Sequence, residues 1–398
     1  MERIGCDILV AGGGIAGLAA TTRLAAAGLS VACVDPAPAA AGAGARAGDL
    51  RTTAFLLPAV DTLKRAGAWG AMEPHAAPLW TMRLVDAGGR QRTPRETADF
   101  AARELMDRPF GWNVPNAAIR AALADRLAAL PAARLIDGAR VERLIARSTG
   151  AIAWLSDGSQ VRAGLAVAAD GRDSGLRAGA GIAAHRWHYG QKALVFAVSH
   201  PEAHGGVSTE IHRSGGPLTL VPMPDRGGRP CSSVVWMVPG PRAARLAALD
   251  DAALGAELTA ETMGLMGPLA LAGPRAVWPI IGQLALRLTA ERLALIAEAA
   301  HVIPPIGAQG LNMSLADVET LARLVAAAPD PGAAAILAAY QRRRWPEMAA
   351  RVAGIDCLNR AARAELQPLR DLRRLGLKAI HEVGPLRHLA MRLGMGAG

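Results

Sequence analysis

The sequence predicts an α/β protein with three parts. These are a discontinuous, doubly wound nucleotide-binding domain, a mostly antiparallel β-sheet domain interleaved with it, and a helical C-terminal region. Three observations lead there. An apolar run near the N-terminus breaks into glycines and enters a helix-forming stretch. Buried strand-like runs return far along the chain, at residues 165–169 and 293–297. Between them, residues 181–275 read as strands separated by Gly/Pro turns.

The first element is Ile8-Leu-Val-Ala-Gly12-Gly-Gly14-Ile15-Ala16-Gly17-Leu18. Gly12 allows a tight turn, Gly14 lets backbone approach a pyrophosphate, and Gly17 lets helix and strand pack closely. The phosphate then sits on the free amides at Ile15 and Ala16 and on the positive end of the helix. Glycine is 44 of 398 residues, so this spacing alone arises by chance roughly once in such a chain. Context gives it weight. It follows a strand, opens a helix over 15–27 that stops at Gly28, and is followed by Val31-Ala-Cys-Val-Asp35, which puts an acid where a ribose hydroxyl partner belongs. The unit over about 4–35 is a Rossmann-like, dinucleotide-binding βαβ.

An Ala/Gly/Pro-rich loop at 36–48 leads to Arg51, which can reach toward a bound cofactor, and helical patterning resumes over 58–66. Residues 115–130 read as an amphipathic helix. A meander over 141–147, 151–155 and 160–163 returns into the buried strand 165–169, which ends at Asp170-Gly171. The strands at 193–198, 218–222 and 232–238, with a helical insertion at 241–265, form a sheet that covers a pocket. After the parallel strand at 293–297, a loop at 298–307 precedes a helix over 309–327. This assigns 1–75, 96–180 and 276–340 to the nucleotide-binding domain, 76–95 and 181–275 to the sheet domain, and 341–398 to helices.

Composition narrows the function classes. Apolar residues are 51% and charged residues 20%, which fits a packed globular enzyme and excludes disorder. The net charge is +10, and from Arg342 onward twelve Arg/Lys face five Asp/Glu, placing +7 in the tail. That tail suits an anionic membrane surface or an acidic partner, or is simply an exposed arginine-rich face. No zinc-finger, RNA-binding or basic-zipper pattern accompanies it, so nucleic acid is not expected. No signal peptide or membrane span is recognisable, and the expectation is a cytoplasmic protein, peripheral at most to the inner face of the membrane. The four cysteines make no CxxC pair. His200 and His204 stand four apart, but Pro201 and Gly205-Gly206 make that stretch a loop, so no metal site is expected. A Gly-x-Ser-x-Gly elbow is missing, which disfavours a hydrolase.

Three motifs now stand in order. They are the glycine fingerprint, then Val167-Ala-Ala-Asp170-Gly171-Arg-Asp-Ser174-Gly-Leu-Arg177, then Ala297-Glu298-Ala-Ala-His301-Val-Ile-Pro304-Pro305-Ile-Gly307-Ala-Gln309-Gly310-Leu311-Asn312. The set resembles the class A flavoprotein monooxygenases, the para-hydroxybenzoate hydroxylase superfamily, over nearly the whole chain. The run from Pro305 to Asp317 is most similar to the ubiquinone-biosynthesis hydroxylases within it. The resemblance implies FAD as cofactor, with Asp170, Gly171 and Arg177 near its pyrophosphate. It implies Glu298 at the ribityl chain, and the backbone of Gly307, Gln309, Gly310, Leu311 and Asn312 at the pyrimidine edge of the ring. There a helix dipole stabilises an anionic reduced flavin. Asn116 and Arg51 are carried over as further FAD contacts, and His301 as a residue that orders the loop. Relatives read Gly-Asp where this chain has Ala297-Glu298.

By the same resemblance, the activity is hydroxylation of the aromatic ring of a polyprenylated phenol or benzoquinol in ubiquinone biosynthesis. It runs through a flavin hydroperoxide, with molecular oxygen as co-substrate. Pro304, Pro305 and Gly307 shape the wall beside the flavin ring, and no acid or base is assigned. The electron donor stays open between NAD(P)H, usual in the superfamily it resembles, and a redox protein, since no second glycine fingerprint marks a separate nicotinamide domain. Partners implied are the lipid-tailed substrate and a membrane surface or ubiquinone-biosynthesis complex. Two alternatives stay open: a monooxygenase of a small soluble aromatic, and a non-catalytic FAD-binding scaffold.

Overall fold

The structure is a computed structural model that describes residues 2–37, 51–89, 93–213, 215–364 and 366–395. Most of the Ala/Gly/Pro-rich loop at 36–48 therefore lies outside the described residues. Nine helices of eight residues or more lie among them. They are α1 (Ile15–Ala25), α2 (Leu57–Ala66), α3 (Asn116–Ala128), α4 (Gly240–Ala247), α5 (Asp251–Glu261), α6 (Gln309–Val325), α7 (Ala334–Ala362), α8 (Gln367–Glu382) and α9 (Gly384–Met395).

The first sheet runs Thr289–Ala290, Leu293–Leu295, Gln160–Ala168, Arg3–Ala11, Val31–Asp35, Ala133–Asp137 in space. Its central pairings are parallel. Strands buried on both faces must be apolar throughout, and Ile8, Val10, Leu165, Val167 and Leu295 are fully buried. Helices α1 and α6 pack on one another beside this sheet. The stripe Leu315, Val318, Ala322 and Val325 of α6 is buried at helical spacing.

The second sheet has nine strands and is antiparallel but for one pair, Thr81–Asp86 with Val207–His212. It includes Glu96–Ala101, paired to Thr81–Asp86 in the register Thr81↔Ala101 to Asp86↔Glu96. That strand was expected to open the second nucleotide-binding piece. Its alternating pattern buries Ala98 and Phe100 on one face, as a half-covered antiparallel strand requires. Ala276–Ala285, expected in the third piece, likewise pairs with the long strand Ala184–Ser199. A small third sheet, Thr52–Leu56, Gly111–Pro115 and Ala77–Leu79, was not foreseen. It is tied to the second by Asn113, whose buried side chain donates to the Pro222 carbonyl at 2.7 Å.

Helix α7 clamps the sheets together. Tyr340 donates to the Leu295 carbonyl at 2.9 Å in the first sheet, and Trp345 donates to the Ala285 carbonyl at 3.0 Å in the second. No helix among the described residues is long and apolar enough to cross a membrane.

Candidate functional site

The glycine turn follows from sterics. Gly12 holds φ at +105°, and a Cβ there would lie 2.3 Å from the Ala169 carbonyl oxygen. A Cβ on Gly17 would lie 1.8 Å from the Gly12 carbonyl oxygen, so α1 can cross the strand this closely only with hydrogen there. Gly14 is different: a Cβ on it would meet nothing within 4 Å. It faces open space at the N-cap of α1, which has no side-chain cap and no acid in its first turn. The amides at Ile15 and Ala16 are thus left for a ligand. Asp35, at the end of Val31–Asp35, accepts from the Gly13 and Ala37 amides and borders the same opening.

The second motif begins where Gln160–Ala168 ends. Gly171 turns the chain at φ +87°, and Ser174 caps the short helix Gly175–Gly179 by accepting from the Arg177 amide. One carboxylate oxygen of Asp170 accepts from the Leu176 amide at 3.2 Å. The other is buried with no partner in the protein. A buried orphan acceptor is rare, and it marks where a ligand hydroxyl or amide belongs. Arg177 does something else. Its buried guanidinium donates to the Ala299 carbonyl at 2.9 Å and the Arg172 carbonyl at 3.0 Å, lashing the second motif to the third. Burial, together with Arg186 nearby, lowers its pKa, and the group is spent on protein carbonyls rather than aimed at a cofactor.

The third motif follows Leu293–Leu295 of the first sheet and takes in His301–Val302 of the second. The segment after that strand, Pro304 to Ala308, therefore lies at the junction of the two sheets. Pro304 is buried and Pro305 exposed. Gly307 and Ala308 both adopt left-handed backbone, at φ +60° and +57°, and deliver the chain into α6, whose N-terminus carries no side-chain cap. Gln309 donates to the Gly307 carbonyl and accepts from Arg351. A Cβ on Gly310 would meet nothing within 4 Å, and Leu311 packs toward the core beside Leu315. Asn312 is a strut: it accepts from the Leu56 amide and donates to the Ala54 and Ala308 carbonyls, each within 2.8 Å. It fastens α6 to Thr52–Leu56.

Glu298 is half-exposed and paired with Arg172 at 3.2 Å. Ala297, before it, holds φ +54°, a conformation that costs a non-glycine residue roughly 1 kcal/mol. Beneath this turn lies a group that sequence reasoning missed. Asp317 of α6, fully buried, accepts from the Ala297 amide at 3.1 Å, from His301 Nε2 at 2.8 Å, and from Arg344 of α7 at 2.9 and 2.8 Å. Burial pushes the Asp317 carboxyl up, but Arg344 and His301 outweigh it and hold it below its ordinary value. The available signal was an acid on the buried face of an apolar helix, four residues after Met313 and four before Leu321.

Arg51 and Asn116 meet at the edge of the third sheet. The Asn116 amide donates to the Arg51 carbonyl at 2.9 Å, and Asn116 Oδ1 accepts from Thr53 at 2.8 Å. The Arg51 guanidinium lies 5.4 Å over the ring of Trp278 in the second sheet. Among the described residues no cluster of three His, Cys, Asp or Glu is placed to hold a metal.

An opening at Gly14, two uncapped helix N-termini and an orphaned acceptor at Asp170 fit a dinucleotide with a ring system beyond it. The FAD binding domain family matches residues 5–354, and the chain belongs to that family. It is an FAD-dependent monooxygenase. It is 38% identical to the ubiquinone hydroxylase UbiL of Rhodospirillum rubrum over 98% of this chain and 89% of that protein. Its identity to the 3-demethoxyubiquinol 3-hydroxylase of Escherichia coli is 29%, over 98% of both. Among solved structures, p-nitrophenol 4-monooxygenase PnpA from Pseudomonas putida superposes with a TM-score of 0.80 over 100% of this chain and 99% of that one. At 17% identity that likeness establishes the fold alone.

Proposed function

We propose that this protein hydroxylates the aromatic ring of a polyprenylated phenol or benzoquinol in ubiquinone biosynthesis, collecting the lipid-tailed substrate from a membrane surface or a biosynthetic complex. One observation carries the reading: near full-length likeness to proteins named as ubiquinone and demethoxyubiquinol hydroxylases. The proposed roles of the residues follow from that likeness. The amides at Gly14, Ile15 and Ala16 hold the FAD pyrophosphate, Asp35 a ribose hydroxyl, Asp170 a polar group of the linker, and Glu298 the ribityl chain.

Reduced FAD supplies the activation of oxygen that ring hydroxylation needs. The chain supplies orientation and environment. The positive end of α6, from Gly307 to Asn312, would stabilise negative charge on the flavin ring bound against it. Pro304 and Pro305 form a rigid wall without proton donors, and the antiparallel sheet covers the substrate and excludes water. The test is the visible spectrum of the purified protein, release and identification of its ligand, then incubation with a prenylated phenol, reductant and isotopically labelled oxygen. Released FAD and one labelled oxygen on the ring are the expected results. A colourless protein that FAD does not reconstitute, or flavin turnover with no oxygen on the ring, overturns the proposal.

A further inference from the structure

Helices α8 and α9 are docked with their apolar sides outward. On α8 no residue is buried. Leu369, Leu372, Leu375 and Ile380 are all exposed, and they fall on one side of the helix with Gly376 and Ala379. On α9 the exposed residues Leu386, Leu389 and Leu393 form a second stripe at spacings of three and four. Of thirteen exposed large apolar side chains among the described residues, nine lie between Leu366 and Leu393. Scattered single leucines on a surface mean nothing, but a concentration of this kind marks an interaction site.

The inward side is built from arginines. Arg373 reaches Asp86 of the second sheet at 2.9 Å, where Asp86 is 1% exposed, and donates to the His212 and Arg213 carbonyls. Arg370 donates to the Gly88 carbonyl, and Arg95 spans from Asp86 to Asp371. Arg387 of α9 grips Glu104 at 2.7 and 2.8 Å and lies 4.9 Å over Phe100. Leu377 and Met391 enter the core beneath. A pair of helices held by polar contacts on one side and leucines on the other is arranged to cover something apolar.

Charge selects the occupant. From Leu366 to Met395 there are six Arg/Lys against two Asp/Glu; Arg370, Arg373 and Arg387 are turned to the protein, and Lys378 and Arg392 stand exposed near the stripes. A second copy of the chain would bring like charges together, whereas an anionic lipid surface attracts them. We infer that α8 and α9 form an interfacial membrane anchor, with the leucine stripes entering the acyl boundary of an anionic bilayer and the arginine face holding the sheet domain against it. This deepens, and in its biological sense rests on, the proposal of a lipid-tailed substrate.

The experiment reads binding alone, so that failure of the hydroxylase reading leaves it interpretable. The FAD-loaded full chain is floated with vesicles of phosphatidylcholine, with and without phosphatidylglycerol, containing no phenol or quinone. The wild type is expected to float with the anionic vesicles. The variant L372S/L375S/L389S is expected to lose partitioning by on the order of 100-fold, with unchanged circular dichroism and flavin content. Hydrogen exchange of the wild type with and without vesicles covers the case in which that variant fails to fold, and vesicle-induced protection is expected over 366–395. Equal flotation of variant and wild type overturns the inference. So does protection elsewhere in the chain, a wild type that ignores anionic vesicles, or self-association of the wild type that the triple variant abolishes.

Discussion

Replacing Asp317 with asparagine tests whether the turn at Ala297 and Glu298 is held from below. The side chain is fully buried and meets four donor contacts from Ala297, His301 and Arg344. An asparagine offers one acceptor oxygen, so its amide group must face either the Arg344 fork or the Ala297 and His301 donors. Removing one partner of a buried ion pair costs about 3–5 kcal/mol because a charge is left stranded. Arg344 retains Glu347 at 2.5 Å, itself about half-exposed, which places the expected loss near the lower end, about 3 kcal/mol. That is a large share of the roughly 5–15 kcal/mol that keeps a protein folded. Urea unfolding followed by circular dichroism reads the loss, and flavin content of the purified variant reads the loosening of the turn. The double variant D317L/R344M strands neither charge and is expected to cost less than the sum of the single changes. A loss under about 1 kcal/mol for D317N, or strict additivity in the double variant, would refute the reasoning.

The same pair fixes a pH dependence. Because the folded-state pKa of Asp317 lies below its unfolded value, the stability it contributes is fully present above the ordinary carboxylate range of about 4. It is lost only as pH falls through the lowered folded value. The stability difference between wild type and D317N due to this carboxylate is therefore constant from about pH 5 upward and closes in stronger acid.

Four further outcomes are expected. G17A, whose Cβ would lie 1.8 Å from a carbonyl oxygen, costs at least about 2 kcal/mol. G14A shifts stability of the flavin-free protein by less than about 1 kcal/mol yet weakens flavin retention, as thermal unfolding and fluorimetric flavin counts will read. A297G relieves a left-handed alanine and raises the unfolding midpoint in urea by the equivalent of about 0.5–1 kcal/mol; an unchanged midpoint would show that the turn is not strained. Iodoacetamide at about pH 8 labels exposed Cys357 in the native protein, while burial pushes the Cys6 and Cys33 thiols up to about 11 and about 12. Those two are therefore expected to be labelled only after unfolding, as peptide mass spectrometry will show.

The glycine fingerprint was legible because its chemistry is local: Gly12, Gly14 and Gly17 lie within six residues, and the need for hydrogen at Gly12 and Gly17 follows from one strand–helix crossing. The parallel and antiparallel layers were legible for a similar reason, since continuous and alternating apolar runs differ on the page. Polar residues in the second and third motifs were harder. Arg177 and Asn312 stand in cofactor motifs, yet both point their donors at protein carbonyls. A motif fixes the backbone that meets a ligand without saying which side chains brace it. Asp317 depends on Arg344, which belongs to another helix 27 residues away, and no periodicity links them.

The sense in which α8 lies on the protein is the sharpest case. Periodicity identifies an apolar stripe and an arginine stripe, and by the usual preference the leucines should turn inward. The second sheet decides otherwise, because Asp86 sits 1% exposed at the end of Thr81–Asp86 with its carboxylate facing the helix. Leucines against that surface would leave the carboxylate with Arg95 and the Gly88 amide but without its second cation, Arg373, and a buried carboxylate that loses a partner is costly. The arginine face must therefore turn in, and the exposed leucines follow from the position of one buried acid.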